Sequence, residues 1–112
     1  MVTEWSIETY ETRGGSKPVD EFIQKQQSTT IAKIIHHNIL LKQYGNRLGM
    51  PHAKNLGLGL YELRIRGKEE IRIFYCFKQK TVFLLHAFKK QTQKAPQREL
   101  EVAFKRMEEL LT

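Results

Sequence analysis

Three runs of alternating apolar residues, Leu60–Arg66, Ile71–Phe77 and Val82–Phe88, follow one another with only four residues between successive runs. The connections, Gly67-Lys68-Glu69-Glu70 and Lys78-Gln79-Lys80-Thr81, are short and polar. A parallel return needs a crossover of a dozen or more residues, so the runs are expected to pair as an antiparallel meander. The period of two gives each strand two unlike faces. In the first, Tyr61, Leu63 and Ile65 share one side, and Glu62, Arg64 and Arg66 the other. In the second, Ile71, Ile73, Tyr75 and Phe77 alternate with Arg72, Phe74 and Cys76. The expected sheet has one apolar face for helices and one face that carries arginines.

The flanking segments supply the rest of the fold. Glu4 to Tyr10 alternates with Trp5 and Ile7 on one side and predicts a first strand. Thr12 to Ser16 is a turn, and Ser16 is expected to cap a short helix with Pro18 in its first turn and Phe22 and Ile23 on its apolar face. Ser28-Thr29-Thr30 should break and recap the chain before a second helix from Thr30 to Tyr44. There Ile31, Ile34, Ile35 and Ile39 fall near one stripe, and Gly45-Asn46 stop it. Leu48 to Gly59, with three glycines and Pro51, reads as a loop. A last helix from about Pro96 carries Leu100, Ala103, Phe104, Met107, Leu110 and Leu111 at helical spacing. The predicted order, β-α-α-β-β-β-α, is an α+β fold: a small antiparallel sheet, two helices packed on it and a C-terminal helix. At 112 residues one domain is expected.

Charge then narrows the function. The chain carries a net +7, and Lys54 to Lys94 alone holds ten Lys/Arg against three acids. A basic patch laid on a sheet is the footprint of a polyanion site, RNA or DNA first. No segment approaches the roughly 20 apolar residues that cross a bilayer, and the basic stretch reads as strands, not as an amphipathic membrane-surface helix. The first twenty residues hold Glu4, Glu8, Glu11 and Asp20 and no apolar run, so no signal peptide is expected. The lone Cys76 has no internal disulfide partner and fits a buried small residue in a reducing cytoplasm. His36, His37, His52 and His86 show no zinc-ligand spacing, and Asp20 is the one aspartate. Gly57-Leu58-Gly59 lacks the remainder of either phosphate-cradling glycine pattern. No cofactor is expected, and phosphoryl chemistry here would run on cationic side chains.

RNA suits such a site because its 2′-hydroxyl is a built-in nucleophile. The protein must align that oxygen with phosphorus, remove its proton, neutralise the phosphorane charge and protonate the leaving 5′ oxygen. Arg64 and Arg72 are the candidates for charge stabilisation, since guanidinium grips phosphate through two parallel hydrogen bonds. Arginine stays protonated and is a poor base. A lysine base needs neighbouring cations to depress its pKa by roughly three units, on the order of 4 kcal/mol; Lys89, Lys90 and Lys94 are close enough in sequence to act on one another. His52 and His86 are easier bases on pKa grounds, although His86 shares parity with Val82, Leu84 and Phe88 and equally fits a core position.

Leu60-Tyr61-Glu62-Leu63-Arg64, Ile71-Arg72-Ile73-Phe74-Tyr75, Leu84 to Pro96 (LLHAFKKQTQKAP) and Ala103-Phe104-Lys105-Arg106, in this order, resemble the RelE/ParE toxin superfamily. The nearest branch is the phage-derived HigB-like toxins of type II toxin–antitoxin systems, and the resemblance spans about Trp5 to Met107. It implies a metal-independent endoribonuclease that cuts mRNA, commonly on the ribosome, and a cognate antitoxin protein that holds it inactive. By position Arg64 matches the family's strand arginine, Lys90 its second catalytic cation, and Lys54, with His52 beside it, its lysine-bearing segment. RelE-type enzymes also carry a C-terminal tyrosine, and the matching stretch Ala95–Arg98 has none. Proton transfer is thereby left to His52, His86 or a lysine. The expected catalytic set is Arg64, Lys90, Arg72 and Lys89, with Lys54, His52, Arg66, His86 and Lys94 binding RNA. ParE-type relatives share the fold but bind DNA gyrase without cutting RNA, and an RNA-binding module without cleavage is the other alternative.

Overall fold

The computed structural model describes residues 4–94 and 96–112; Ala95, part of the stretch without a tyrosine, lies outside the described residues. β1 (Ser6–Thr9), α1 (Pro18–Gln24) and α2 (Ser28–Tyr44) lead through a 3-10 turn at Gly45–Arg47 into β2 (Ala53–Gly57). Then come β3 (Leu60–Ile65), β4 (Ile71–Lys78), β5 (Thr81–Lys89) and α3 (Gln97–Leu111). The α+β fold and the β3-β4-β5 antiparallel meander are as expected. Two features of the sheet differ. β2 lies inside the predicted loop and pairs antiparallel with β3. It buries only Ala53 among A-K-N-L-G, so it carries almost no period-two apolar signal. β1 pairs in parallel with β5, so the five-stranded sheet, ordered β1-β5-β4-β3-β2, is mixed and not purely antiparallel.

Helices cover both faces of this sheet. On one, Val19 of α1 with Ile34 and Leu41 of α2 pack on Leu63, Ile65, Ile71, Ile73, Tyr75, Val82 and Leu84. On the other, Ala103 and Met107 of α3 pack on Leu60, Phe74, Cys76 and Leu85. The central strand β4 is therefore buried continuously from Ile71 to Cys76. Each such aliphatic or aromatic side chain contributes roughly 1.5–3 kcal/mol through burial. Burial also pushes the Cys76 thiol up to about 11. The face expected to carry the arginines thus also holds core residues, Phe74 and Cys76 beneath α3.

A bulge in β5 decides which side its residues face. Phe74 pairs with His86 while Tyr75 pairs with Leu84, which leaves Leu85 without an opposite number. The period of two resets there. Val82 and Leu84 face α1 and α2, whereas His86 joins Phe74 on the α3 side. The parity that grouped His86 with Val82 and Leu84 does not survive the bulge.

The helix ends also depart from expectation. Ser16 does not cap α1; its hydroxyl pairs with Thr12 Oγ1 at 2.9 Å, and Lys17 precedes Pro18 without a side-chain cap. α2 begins two residues early, with Thr29 and Thr30 inside its first turn. Ile34 and Leu41 define its buried line, and Ile35 and Ile39 lie roughly 100° and 140° around the helix from Ile34. They are 53% and 55% exposed, not part of the core stripe. Where α2 ends, Gly45 has φ +55° and touches the Trp5 indole, while the Trp5 N–H donates to Lys42 O at 2.9 Å.

Candidate functional site

Three cations from three separate segments converge between the β2–β3 edge and the start of α3. Lys54 stands on β2 opposite Glu62, and Arg64 follows two residues later on the same face of β3. Lys90 comes just after β5, where its N–H donates to Glu70 O at 2.8 Å. Together with Glu62 they line a cavity of about 360 Å3, within the usual range for ligand sites. Its apolar wall is Leu56, Phe74, Leu100 and Phe104, and Gln93 and Pro96 close it from the loop before α3. The cavity thus sets cations beside half-buried ring and aliphatic surface, the pairing of groups that suits a phosphate with an attached base.

The arginines are oriented by buried carboxylate chemistry. Arg64 Nε donates to Glu62 Oε1 at 2.9 Å, and its Nη1 lies 4.0 Å from Met50 Sδ, leaving Nη2 for a ligand. Arg72, paired across the strands with Arg64, is 5% exposed. Its Nη1 donates to Glu70 Oε2 at 2.8 Å and to Ile71 O at 3.2 Å, and its Nε lies 3.8 Å from Glu62 Oε2. Glu62, itself 5% exposed, thus sits between two guanidiniums. Burying Glu62 and Arg72 in this way is tolerated because each finds an opposite partner.

Residues 21–108 match the family described as phage derived protein Gp49-like (DUF891). The chain belongs to the Gp49-like family. Members of this family are RelE/toxin-like proteins, and the matched segment contains every residue that lines the cavity. No curated protein matches the chain.

Of the residues singled out from sequence, this Gp49-like chain brings together Arg64, Lys90 and Lys54. Arg72 lies beneath the cavity as an internal counter-ion and does not line it. Lys89 points instead to Glu69 at 3.2 Å, and Arg66 is exposed with Nη1 4.0 Å from Glu70. Lys94 is exposed and outside the lining. His86 is held by α3: its Nε2–H donates to Glu99 Oε1 at 3.0 Å, and Nδ1 faces Arg106 Nη1 at 3.4 Å. The bulge that turns it to this side makes it an anchor for α3, away from the cavity. His52 gives its backbone carbonyl to the Arg64 N–H at 2.7 Å, but its ring lies 5.4 Å from that of His37 on α2. Sequence reasoning passed over Glu62. A lone acid alternating with arginine on one strand face was the available signal, since a charge so placed requires a partner. Among the described residues no three His, Cys, Asp or Glu side chains gather as metal ligands.

The histidine row makes stability depend on pH. Burial, opposed in part by the bond from its Nδ1–H to Lys33 O at 2.8 Å, lowers the His37 pKa below the ordinary 6.5, and His52 and His36 push it further down. The unfolded chain then binds the proton more readily than the folded one. The stabilising effect of neutral His37 is fully present above about pH 6.5 and is lost as pH falls from there through the lower folded pKa. Urea midpoints between pH 7.5 and 5.5 should fall, and His37→Gln should flatten the decline.

Proposed function

We propose that the chain is a HigB-like toxin of a type II toxin–antitoxin system, acting as a metal-independent endoribonuclease on mRNA at the ribosome. The observation that carries this reading is the convergence of Lys54, Arg64 and Lys90 on one cavity whose opposite wall is apolar. In this reading the scissile phosphate sits between Arg64 and Lys90 and a base lies against Phe104 and Leu100. Arg64 and Lys90 meet the charge that develops on the phosphorane, and Lys54 holds the adjoining phosphate. Glu62 holds the Arg64 guanidinium at the cavity through its Nε, which supplies in advance part of the orientation that catalysis needs. In this reading proton transfer falls to a lysine at the cavity, Lys54 or Lys90, rather than to His52 or His86. A cognate antitoxin is the expected inhibitor.

The test is primer-extension mapping of mRNA ends after brief induction of the wild type and of Arg64→Ala with Lys90→Ala. New ends with the wild type and about 10²–10³-fold fewer per lost cation are expected. Regular codon phasing of those ends places the reaction on the ribosome. Growth arrest with DNA damage and no new ends would replace this reading with gyrase inhibition.

Binding should also carry the signature of phosphate contacts. For a non-cleavable 2′-deoxy oligonucleotide, two neutralised phosphates predict a slope of log affinity against log salt of about −1.4, at roughly −0.7 per phosphate on single strands. Lys54→Ala should reduce that slope by about one contact, measured by fluorescence anisotropy.

A further inference from the structure

β1 is an edge of the sheet: it pairs with β5 on one side and with no strand of the chain on the other. In a parallel pair, alternate residues turn their N–H and C=O groups to the neighbour. Ser6 and Tyr10 do so, donating to Lys80 O at 3.1 Å and Leu84 O at 2.9 Å. Ile7 and Thr9 therefore turn theirs outward, and neither has a backbone partner there among the described residues. An open row of donors and acceptors is a template for another strand. Here it is the floor of a groove of about 900 Å3, against about 360 Å3 for the cationic cavity. Asp20 of α1 stands on one side, where its Oδ2 accepts from the Thr9 hydroxyl at 3.2 Å. Glu109 of α3 stands on the other and accepts from the Tyr10 hydroxyl.

The sign of the groove is opposite to that of the chain. Four carboxylates line it, Glu8, Glu11, Asp20 and Glu109, against two cations, Arg13 and Lys17. None of the four is in an ion pair among the described residues. Two further cations adjoin it but are turned to carbonyls. Arg106, over the Tyr10 ring, donates to Leu85 O at 2.9 Å, and Lys78 donates to Leu110 O at 3.2 Å. On the α3 side Glu8 and Glu109 share the wall with the half-buried Phe83 and Leu110.

We infer that this groove takes an extended basic segment of a partner protein as a sixth strand of the sheet. The open backbone edge fixes the occupant's conformation, and the walls of α1 and α3 admit a free segment. Its side chains alternate between the two walls. Lysine or arginine at every second position meets Glu8 and Glu109, and the aliphatic stem lies on Phe83 and Leu110. A nucleic acid strand is disfavoured by the sign of these carboxylates. A second copy of this chain is disfavoured too, since it would set Glu8 and Glu11 against their own counterparts, one pair of walls against another, and one +7 chain against another. β1 and the Lys54-bearing β2 are opposite edges of the sheet. The added strand therefore leaves the cavity open, whatever reaction the cavity performs.

The probe is a fluorescent peptide of about ten residues that alternates lysine and valine, read by anisotropy. A twin carries glutamate for lysine. The net +7 of the chain repels the lysine peptide except at a local acidic site. It should nevertheless bind about tenfold more tightly than its twin, and Glu8→Lys with Glu11→Lys should weaken it about tenfold. Circular dichroism should be unchanged in that variant, since both side chains are exposed. Backbone N-methylation separates strand addition from charge attraction. Methylating every valine amide, or every lysine amide, removes the donors along one edge of the peptide and keeps its charge. One pattern should abolish binding, and the other should leave it near the parent's value. Arg64→Ala with Lys90→Ala should bind the lysine peptide normally, which separates this groove from the cavity. No binding, equal binding of the twins, undiminished affinity of the Glu8→Lys with Glu11→Lys variant, equal affinity of the two methylated peptides, or loss of binding in Arg64→Ala with Lys90→Ala overturns the inference. So does a wild-type dimer in sedimentation that the lysine peptide dissociates, because the occupant is then a second copy.

Discussion

Glu62→Ala is expected to destabilise the fold by about 3–5 kcal/mol, the usual cost of removing one partner from a buried ion pair. Both carboxylate oxygens are engaged: Oε1 with Arg64 Nε at 2.9 Å, and Oε2 with Arg72 Nε at 3.8 Å. The side chains of Glu62 and Arg72 are 7% and 6% exposed, so water cannot replace the lost charge. Arg72 keeps Glu70 and its own Ile71 carbonyl, which holds the cost within that range. Glu62→Leu combined with Arg72→Met removes both charges and fills the space, and most of the stability should return. Urea unfolding of the three proteins decides it. A loss below about 1 kcal/mol for the single variant would mean that the carboxylate is solvated and not wedged between two guanidiniums. The double variant should still fail to cleave RNA, because Arg64 has lost its orienting partner. Stability and activity separate at this residue.

Gly45→Ala should cost about as much, by an unrelated route. The backbone at Gly45 has φ +55°, and a Cβ there would overlap Nε1, Cε2 and Cδ1 of the Trp5 indole. The indole cannot swing aside freely, because its ring packs on Phe77 with centroids 5.0 Å apart and carries the Lys80 ammonium 4.2 Å above it. We expect a loss of about 2–4 kcal/mol, combining positive-φ backbone strain of about 1 kcal/mol with overpacking of 1–3 kcal/mol. Gly15 supplies the control. Its φ is +89° but nothing lies within 4 Å of the Cβ position, so Gly15→Ala should show the backbone strain alone. Thermal melts of the two variants should differ by the packing part. Equal melts would mean that Trp5 yields without cost.

The meander was legible because β3, β4 and β5 obey a period of two over long runs, and α3 because its apolar residues keep helical spacing. β2 was not, since its stability comes from pairing with β3 and from a glycine turn, with only Ala53 buried. The bulge at Leu85 is a matter of register, which a single strand's sequence does not record. Ile35 and Ile39 misled for a related reason: four isoleucines in nine residues cannot all face one core, and composition alone does not choose among them. At the site, charge singled out Arg64, Lys90 and Lys54, which the fold brings to one cavity. It misjudged Arg72, because a cation and its buried carboxylate look from sequence like two surface charges. Glu62 was missed for the same reason, as the acid in a cationic stretch was counted against the patch when it organises it.

The parallel pairing of β1 with β5 sets the timing of assembly. Ser6 lies opposite Thr81 and Thr9 opposite Leu84, so the first strand waits for a segment some 75 residues later in the chain. Closing so long a loop is entropically costly and comes late, after the local β3–β4–β5 hairpins have formed. During synthesis the emerging chain must hold Trp5 and Ile7 unpaired until β5 has left the ribosome, at roughly 5–20 residues per second. The cavity waits longer still, because Leu100 and Phe104 of its wall follow β5. Whatever ligand it takes, the cavity is thus assembled only after both β5 and the first turns of α3 have emerged.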